Sequence, residues 1–373
     1  MSERYDAEQM VKAICDWVSI ESHTADRDGV NAMLDHIAAT AHPSLTQERL
    51  AGQDGLGDVL IFRAGPQSNE KQILVLSHVD TVHPKGTLAH DLPIRREGDK
   101  LYGPGIYDMK GGAYLAFQAF TQVALANTAK RPMCFIFTPD EEIGSPTTRA
   151  LIEAEGLKSV AVLVTEPGRD GGKVVTARKG VGRFDVEIEG RPAHSGTSHQ
   201  KGRSAIREAA RQIVAIEGMT DYSRGVTTSV GMMEGGTAAN TIPQFARFCI
   251  DLRVTNAADG EAICQTILAL KPFDPDVAVR VTGGMNRPPY EKNEAMTGLY
   301  EQARALAHEL GQDLLDVPMT GGGADGNFTA ALGIPTLDGL GIDGDGAHTL
   351  HEYALVSSIV PRAKLMQKLL ETL

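Results

Sequence analysis

The chain has 373 residues, 42% of them hydrophobic and 23% charged, an ordinary globular balance that excludes a disordered chain and, at this length, predicts two domains. Its 36 Lys and Arg against 48 Asp and Glu give a formal net charge of −12, which excludes the basic footprint that nucleic-acid binding requires. No apolar run approaches the roughly 18 residues of a membrane span, the cysteines Cys15, Cys134, Cys249 and Cys264 are too scattered for a thiolate metal site or a disulfide framework, and residues 1–10 lack the basic and apolar regions of a signal peptide; a cytoplasmic protein is expected.

In chain order, helical periodicity covers residues 7–20 and 29–41. Residues 72–77 (QILVLS) form a short apolar run typical of a buried strand. A helix follows over 111–126, a second buried strand over 133–138 (MCFIFT), a helix over 145–155 with Ser145 as its cap, and a third buried strand over 160–165 (VAVLVT). Strands alternating with helices predict an α/β domain with a mainly parallel sheet flanked by helices.

The pattern changes near Arg178. Residues 183–189 (RFDVEIE) alternate polar and apolar, as a half-exposed strand does. A helix at 203–217, strands at 227–233 and 245–254, a helix at 259–270 and a strand at 277–282 complete a β-α-β-β-α-β order, which predicts a small antiparallel sheet with helices on one face. A long helix at 294–310, three glycines at 321–323, a short helix from Asp325, a strand near 335–340 and a final helix from Ser357 return to the first style. The expected architecture is an α/β domain, residues 1–179 and 286–373, interrupted by an inserted α+β domain, residues 180–285. Arg178 and Lys179 read as hinge or surface charges.

The chemistry gathers at the strand ends. The first buried strand runs into Ser77-His78-Val79-Asp80, where His78 and Asp80 project to the same side of an extended segment, and a His beside a carboxylate is the arrangement of a metal-bound imidazole fixed in one tautomer. Asp108 stands in a Gly- and Pro-rich loop before a helix. The second buried strand ends in Asp140-Glu141-Glu142 and the third in Glu166, while His348 and His351 stand near the C-terminus. Singly, Asp108 also fits a helix cap, and the acidic triplet a solvated loop. Together the acids and histidines, at the carboxyl ends of strands where open α/β sheets form their sites, make up an oxygen-and-nitrogen donor set that suits zinc without thiolates.

The motifs SHVDTV, GPGIYDMKGG, TPDEEIGS, TEPG, GRPAHSG, NTIP, TGGGADG and AHTLHEYA, in this order from Asp6 onward, make the chain resemble the two-zinc metallopeptidases that include glutamate carboxypeptidase, aminoacylase, acetylornithine deacetylase and succinyl-diaminopimelate desuccinylase. TGGGADG with the His-containing end is most similar to the glutamate carboxypeptidase branch. The resemblance implies two Zn2+ per chain, with Co2+ or Mn2+ as possible substitutes. His78 and Glu166 would hold one ion, Glu142 and His348 the other, and Asp108 would bridge them. His348 is preferred over His351, which falls at a variable position of the last motif. Glu141 would be the general base acting on a zinc-bridging water, and Asp80 would stand behind His78.

For the inserted domain the resemblance implies a lid and a dimerisation module. His194 of the AHSG motif would help stabilise an oxyanion, in a homodimer at the partner's site. Asn240 would contact substrate, Arg287 would hold a terminal carboxylate, and the backbone of Gly321, Gly322 and Gly323 would approach the same group. The expected activity is hydrolysis of an amide or peptide bond next to a C-terminal amino acid, on a short peptide or an N-acyl amino acid. N-acyl-amino-acid deacylation is the alternative, a catalytically inactive metal-binding homologue a more distant one. A dinucleotide enzyme would need a G-x-G-x-x-G turn after the first strand, where His78-Val79-Asp80 stands instead.

Overall fold

The computed structural model describes residues 5–373 and divides into two compact units. The first comprises the chain up to Ala177 together with Lys292–Met319 and Ala324–Leu373; the second comprises Arg178–Glu291 and Thr320–Gly323, so the glycine segment groups with the inserted chain.

In the first unit, α1 (Ala7–Val18) and α2 (Arg27–Thr40) each begin at an aspartate, Asp6 or Asp26, whose carboxylate accepts the backbone N–H three residues on. Strands β1 (Thr46–Leu50), β2 (Val59–Ala64) and β3 (Gln72–His78) follow, then α3 (Gly111–Ala126), β4 (Met133–Thr138), α4 (Arg149–Leu157) and β5 (Ser159–Val164). Helix α4 starts at Arg149, four residues after the position the sequence predicts. Ser145 is not its cap: it has a left-handed backbone (φ 56°), and its hydroxyl bonds the Asp325 carboxylate.

The second unit runs β6 (Gly180–Glu189), α5 (Ala205–Glu217), β7 (Thr227–Gly235), β8 (Phe245–Val254), α6 (Ala257–Leu268) and β9 (Ala278–Arg287). Its sheet is antiparallel throughout, in the order β7-β8-β6-β9. Alternate residues of its strands, among them Phe184, Val186, Phe248 and Ile250, are buried with Ala209 and Ile216 of α5 and Ile267 of α6. β7 is an edge strand on which Met232 and Met233 are exposed.

The chain then returns to the first unit with α7 (Glu294–Glu309), α8 (Gly326–Ala331), the short strand β10 (Thr336–Leu337) and α9 (Val356–Thr372). The six-stranded sheet of this unit has the order β1-β2-β4-β3-β5-β10. Strands β4, β3, β5 and β10 are mutually parallel, and β2 runs antiparallel to β4. Successive residues of β3 serve opposite faces. Ile73 and Val75 join one core with Trp17, Phe117 and Leu369; Leu74 and Leu76 join another with Ile152 and Phe328. Burial on both faces explains why these strands read as unbroken apolar runs. In this register His78 lies beside Thr138, and Leu76 beside Val164. The segments that leave β3, β4 and β5 therefore emerge side by side at one edge.

Candidate metal centre

That edge carries the acids and imidazoles. His78 Nε2 faces Asp108 Oδ1 at 3.3 Å and Glu166 Oε1 at 3.7 Å. His348 Nε2 faces Asp108 Oδ2 at 3.3 Å and Glu142 Oε2 at 3.2 Å. The two oxygens of Asp108 are thus each directed at a different imidazole. Glu141 completes a second cluster with His78 and Glu166, beside the cluster of His78, Asp108 and Glu142. It is His348, and not His351, that stands at Asp108 and Glu142.

Local structure presents each group. Asp108 does not cap α3; its backbone is non-helical (φ −117°, ψ 93°), and its peptide bond to Met109 is cis. α3 itself comes close because Gly112 has no side chain: a Cβ there would lie 2.3 Å from the Thr165 carbonyl oxygen. His348 adopts a left-handed backbone (φ 64°). The acidic triplet divides its labour. Asp140 turns inward to accept from Thr147 N and Oγ1 at 2.8 Å and from Thr148 Oγ1 at 2.5 Å, while Glu141 and Glu142 sit in the next single turn, Glu141–Ile143.

Asp80 does more than stand behind His78. The His78 Nδ1 lies 2.9 Å from the Asp80 carbonyl oxygen and 3.4 Å from its carboxylate. The carboxylate also accepts from the Thr24 hydroxyl at 2.7 Å and from the backbone N–H groups of Glu141 and Glu142 at 3.2 Å each. One buried acid therefore orients the imidazole and anchors the turn that carries both glutamates.

The electrostatics are those of crowded acids. Burial alone would raise the Asp108 carboxyl, but hydrogen bonds from His348 and His78 outweigh it and hold Asp108 far below the usual carboxylate range. Burial opposes charge on His78, yet Asp108 and Asp80 raise it well above an ordinary imidazole. Bonds to Asp108 and Glu142 lift His348 to about 11, and burial lifts Glu142 to about 7. Glu142 Oε1 is buried without a hydrogen-bond partner among the described residues. An acceptor of this kind, in a set of carboxylates and imidazoles held within ligand distance of one another, fits divalent cations of the zinc type.

Metal binding here requires neutral imidazoles and an ionised Glu142, so each proton held by these raised groups must leave first. The sign follows: apparent affinity rises with pH between 6 and 8, by about tenfold per unit for each proton displaced. Chelator competition at several pH values measures this, and an affinity independent of pH would contradict it.

The remaining expected residues lie in the second unit. His194 pairs with Thr241, and Ser195 N donates to the Asn240 carbonyl at 2.9 Å, so His194 and Asn240 share one exposed corner. His194 Nδ1 accepts from Gly196 N at 3.1 Å and Thr197 N at 3.2 Å, which places the proton of a neutral ring on Nε2, as a donor. Arg287 is buried at the end of β9, and a Cβ on Gly323 would lie 2.6 Å from its Cδ. The carbonyls of Gly321 and Gly322 accept from Arg253 Nη1 at 3.2 Å and Arg178 Nη1 at 3.0 Å. Arg178 is fully buried, which corrects its reading as a surface charge, since a guanidinium that holds the glycine segment has to lie beneath it; as the first residue of the second unit it stands where a hinge residue would fall. The sequence reading also passed over Glu352 and His83, both buried and bonded to each other at 2.6 Å. Their one signal was an acid following the histidines of AHTLHEYA.

An α/β sheet whose parallel strand ends deliver His78, Glu141, Glu142 and Glu166 to one cluster with Asp108 and His348 is the scaffold of a metallohydrolase. The description "Peptidase family M20/M25/M40" matches residues 74–372, and the chain belongs to this family, whose members are metallopeptidases and amidohydrolases. It is 30% identical to carboxypeptidase G2 of Pseudomonas sp. (strain RS-16) over 371 residues, spanning 97% of this chain and 88% of that enzyme. It is 27% identical to acetylornithine deacetylase of Myxococcus xanthus over 225 residues, 57% of this chain and 58% of that protein. The crystal structure of aminopeptidase PepT from Bacillus cereus ATCC 10987 superposes with a TM-score of 0.74 at 22% identity over 99% of both chains, a likeness of fold. Among the described residues no helix is long and apolar enough to cross a membrane.

Proposed function

We propose that the chain is a zinc-dependent hydrolase that cleaves the amide bond next to a C-terminal amino acid carrying a free carboxylate, with two metal ions per chain. The observation that carries the reading is Asp108, whose two oxygens each face a different imidazole at 3.3 Å. His78 and Glu166 would hold one ion, Glu142 and His348 the other, and Asp108 both. When bound, such a pair supplies Lewis acidity that acidifies water and polarises a carbonyl. Glu141 takes the proton from the attacking water and returns it to the leaving amine. Asp80 keeps the His78 ring and the backbone of Glu141 in place. Arg287 and the 321–323 backbone bind the substrate's carboxylate end, and Asn240 contacts the substrate. The match to a carboxypeptidase over 97% of this chain supports peptide substrates; N-acyl-amino-acid deacylation, in keeping with the deacetylase and desuccinylase relatives, is the second reading. Free thiols at Cys15, Cys134, Cys249 and Cys264 are in keeping with a reducing cytoplasm.

The test is hydrolysis of paired dipeptides and N-acyl amino acids by metal-loaded enzyme, each with a free or an amidated C-terminus. Amidation should lower kcat/KM by about 30-fold or more, the scale for one lost partner of a buried charge pair. Equal rates on both forms would remove the carboxylate from the reading.

Within the same reading the chain is a homodimer formed through the second unit, with His194 serving the partner's site as an oxyanion donor. The β7 edge supports this: it presents Met232 at 67% and Met233 at 47% exposure, and Val214 of α5 is 74% exposed. An open strand edge flanked by apolar side chains is self-complementary under two-fold symmetry. Sedimentation should give a dimer, which Met232→Lys weakens; a monomer at micromolar concentration would end this part of the proposal.

A further inference from the structure

Glu352 has no exposed surface, and its carboxylate is fully engaged. Oε1 accepts the backbone N–H of Tyr107 at 2.8 Å and of Asp108 at 2.9 Å. Oε2 accepts the backbone N–H of Gly105 at 3.0 Å and lies 2.6 Å from His83 Nε2. These bonds join three segments distant in sequence: the loop that ends in Asp108, the stretch after β3 that follows His78 and Asp80, and the last loop, in which Glu352 stands four residues after His348. A carboxylate that accepts several N–H donors in a dry site fixes their relative positions strongly. It does so here at the residue whose two oxygens must face two imidazoles at once.

We infer that Glu352 is a positioning residue: by holding the backbone of the Asp108 loop against the loop that carries His348, it presets the donor set, and His83 holds Glu352 in turn. Glu352 does not reach the cluster itself; it acts through Asp108 and His348. A glutamine cannot replace it. Whichever way the amide turns, its NH2 faces at least one N–H that the carboxylate accepted, Gly105 on one side or Tyr107 and Asp108 on the other. Removing such an outer partner lowers metal affinity by about 10- to 100-fold in general.

The inference rests on the reading of the cluster as a metal site, and the experiment separates the two. Zn2+ and Co2+ binding to full-length wild type, Glu352→Gln and His83→Ala is measured by chelator competition, with the visible spectrum of the Co2+ forms and the circular dichroism of each protein. Absence of metal binding by wild type would overturn the metal reading, and this inference with it. If wild type binds, Glu352→Gln should retain its fold, bind metal about 10- to 100-fold more weakly and show an altered Co2+ spectrum. His83→Ala, which removes one of the four partners, should show a smaller loss of the same kind. Wild-type affinity and spectrum in a folded Glu352→Gln would overturn the inference. Should that variant fail to fold, His83→Ala decides alone, and unchanged affinity there overturns it equally.

Discussion

Glu141→Gln is expected to lower kcat by about 10²-fold or more while the protein keeps its fold and its metal, since general-base catalysis typically contributes 10²- to 10⁴-fold. The residue is buried, its backbone N–H is pinned by Asp80, and its carboxylate lies within ligand distance of His78 and Glu166. That position admits two roles. As a base, Glu141 needs an ionisable oxygen near the attacking water, and glutamine abolishes the function without changing the shape. As a ligand, it would give up metal when neutralised. Steady-state kinetics and metal analysis of one sample therefore discriminate: low kcat with full metal identifies the base, and low kcat with depleted metal moves Glu141 into the ligand set and leaves Glu142 as the candidate base. Near-normal turnover would place the proton transfer elsewhere. KM should change little, because the proton moves mainly in the transition state.

The sequence made the outline of this cluster legible for a specific physical reason. Parallel strands buried on both faces appear as short apolar runs, so their ends are easy to see, and the residues just beyond them, His78 with Asp80, Glu141 with Glu142, and Glu166, share one edge because β4, β3 and β5 are parallel neighbours. The α/β class and the β-α-β-β-α-β insert followed from the same periodicities. What sequence could not carry was the wiring. Asp140 resembles its two neighbours in composition, yet its bonds to Thr147 and Thr148 turn it away from the cluster. Ser145 looks like a helix cap, but its left-handed backbone aims it at Asp325. Arg178 reads as a surface charge until the position of Gly322 is known. Glu352 depends on three backbone N–H groups some 245 residues earlier in the chain. Each of these depends on which backbone donors face which acid, and spacing does not encode that.

Asp108→Ala should produce the largest loss of metal among single substitutions in the cluster. His78, Glu142, Glu166 and His348 each offer a donor to one side, whereas Asp108 offers one oxygen to each side. Truncation of an outer ligand such as Glu166 should weaken one position and leave the other. Truncation at Asp108 should weaken both, so that enzyme dialysed against a chelator of intermediate strength retains two ions in wild type, one in Glu166→Ala and fewer than one in Asp108→Ala, by the usual dependence of structural affinity on ligand number. Asp108→Asn makes the comparison sharper. Its amide keeps the shape and one oxygen but points NH2 at the second imidazole, so it should lose one position more than the other. The apo proteins carry a second signature. With Asp108 gone, His348 and His78 each lose one of the partners that raise them, and both should titrate nearer to an ordinary imidazole; the shift is visible by NMR of ring protons without any metal present. Equal metal retention by Asp108→Ala and Glu166→Ala would show that Asp108 serves one position only, and the shared-ligand reading would fail even if the rest of the donor set stood.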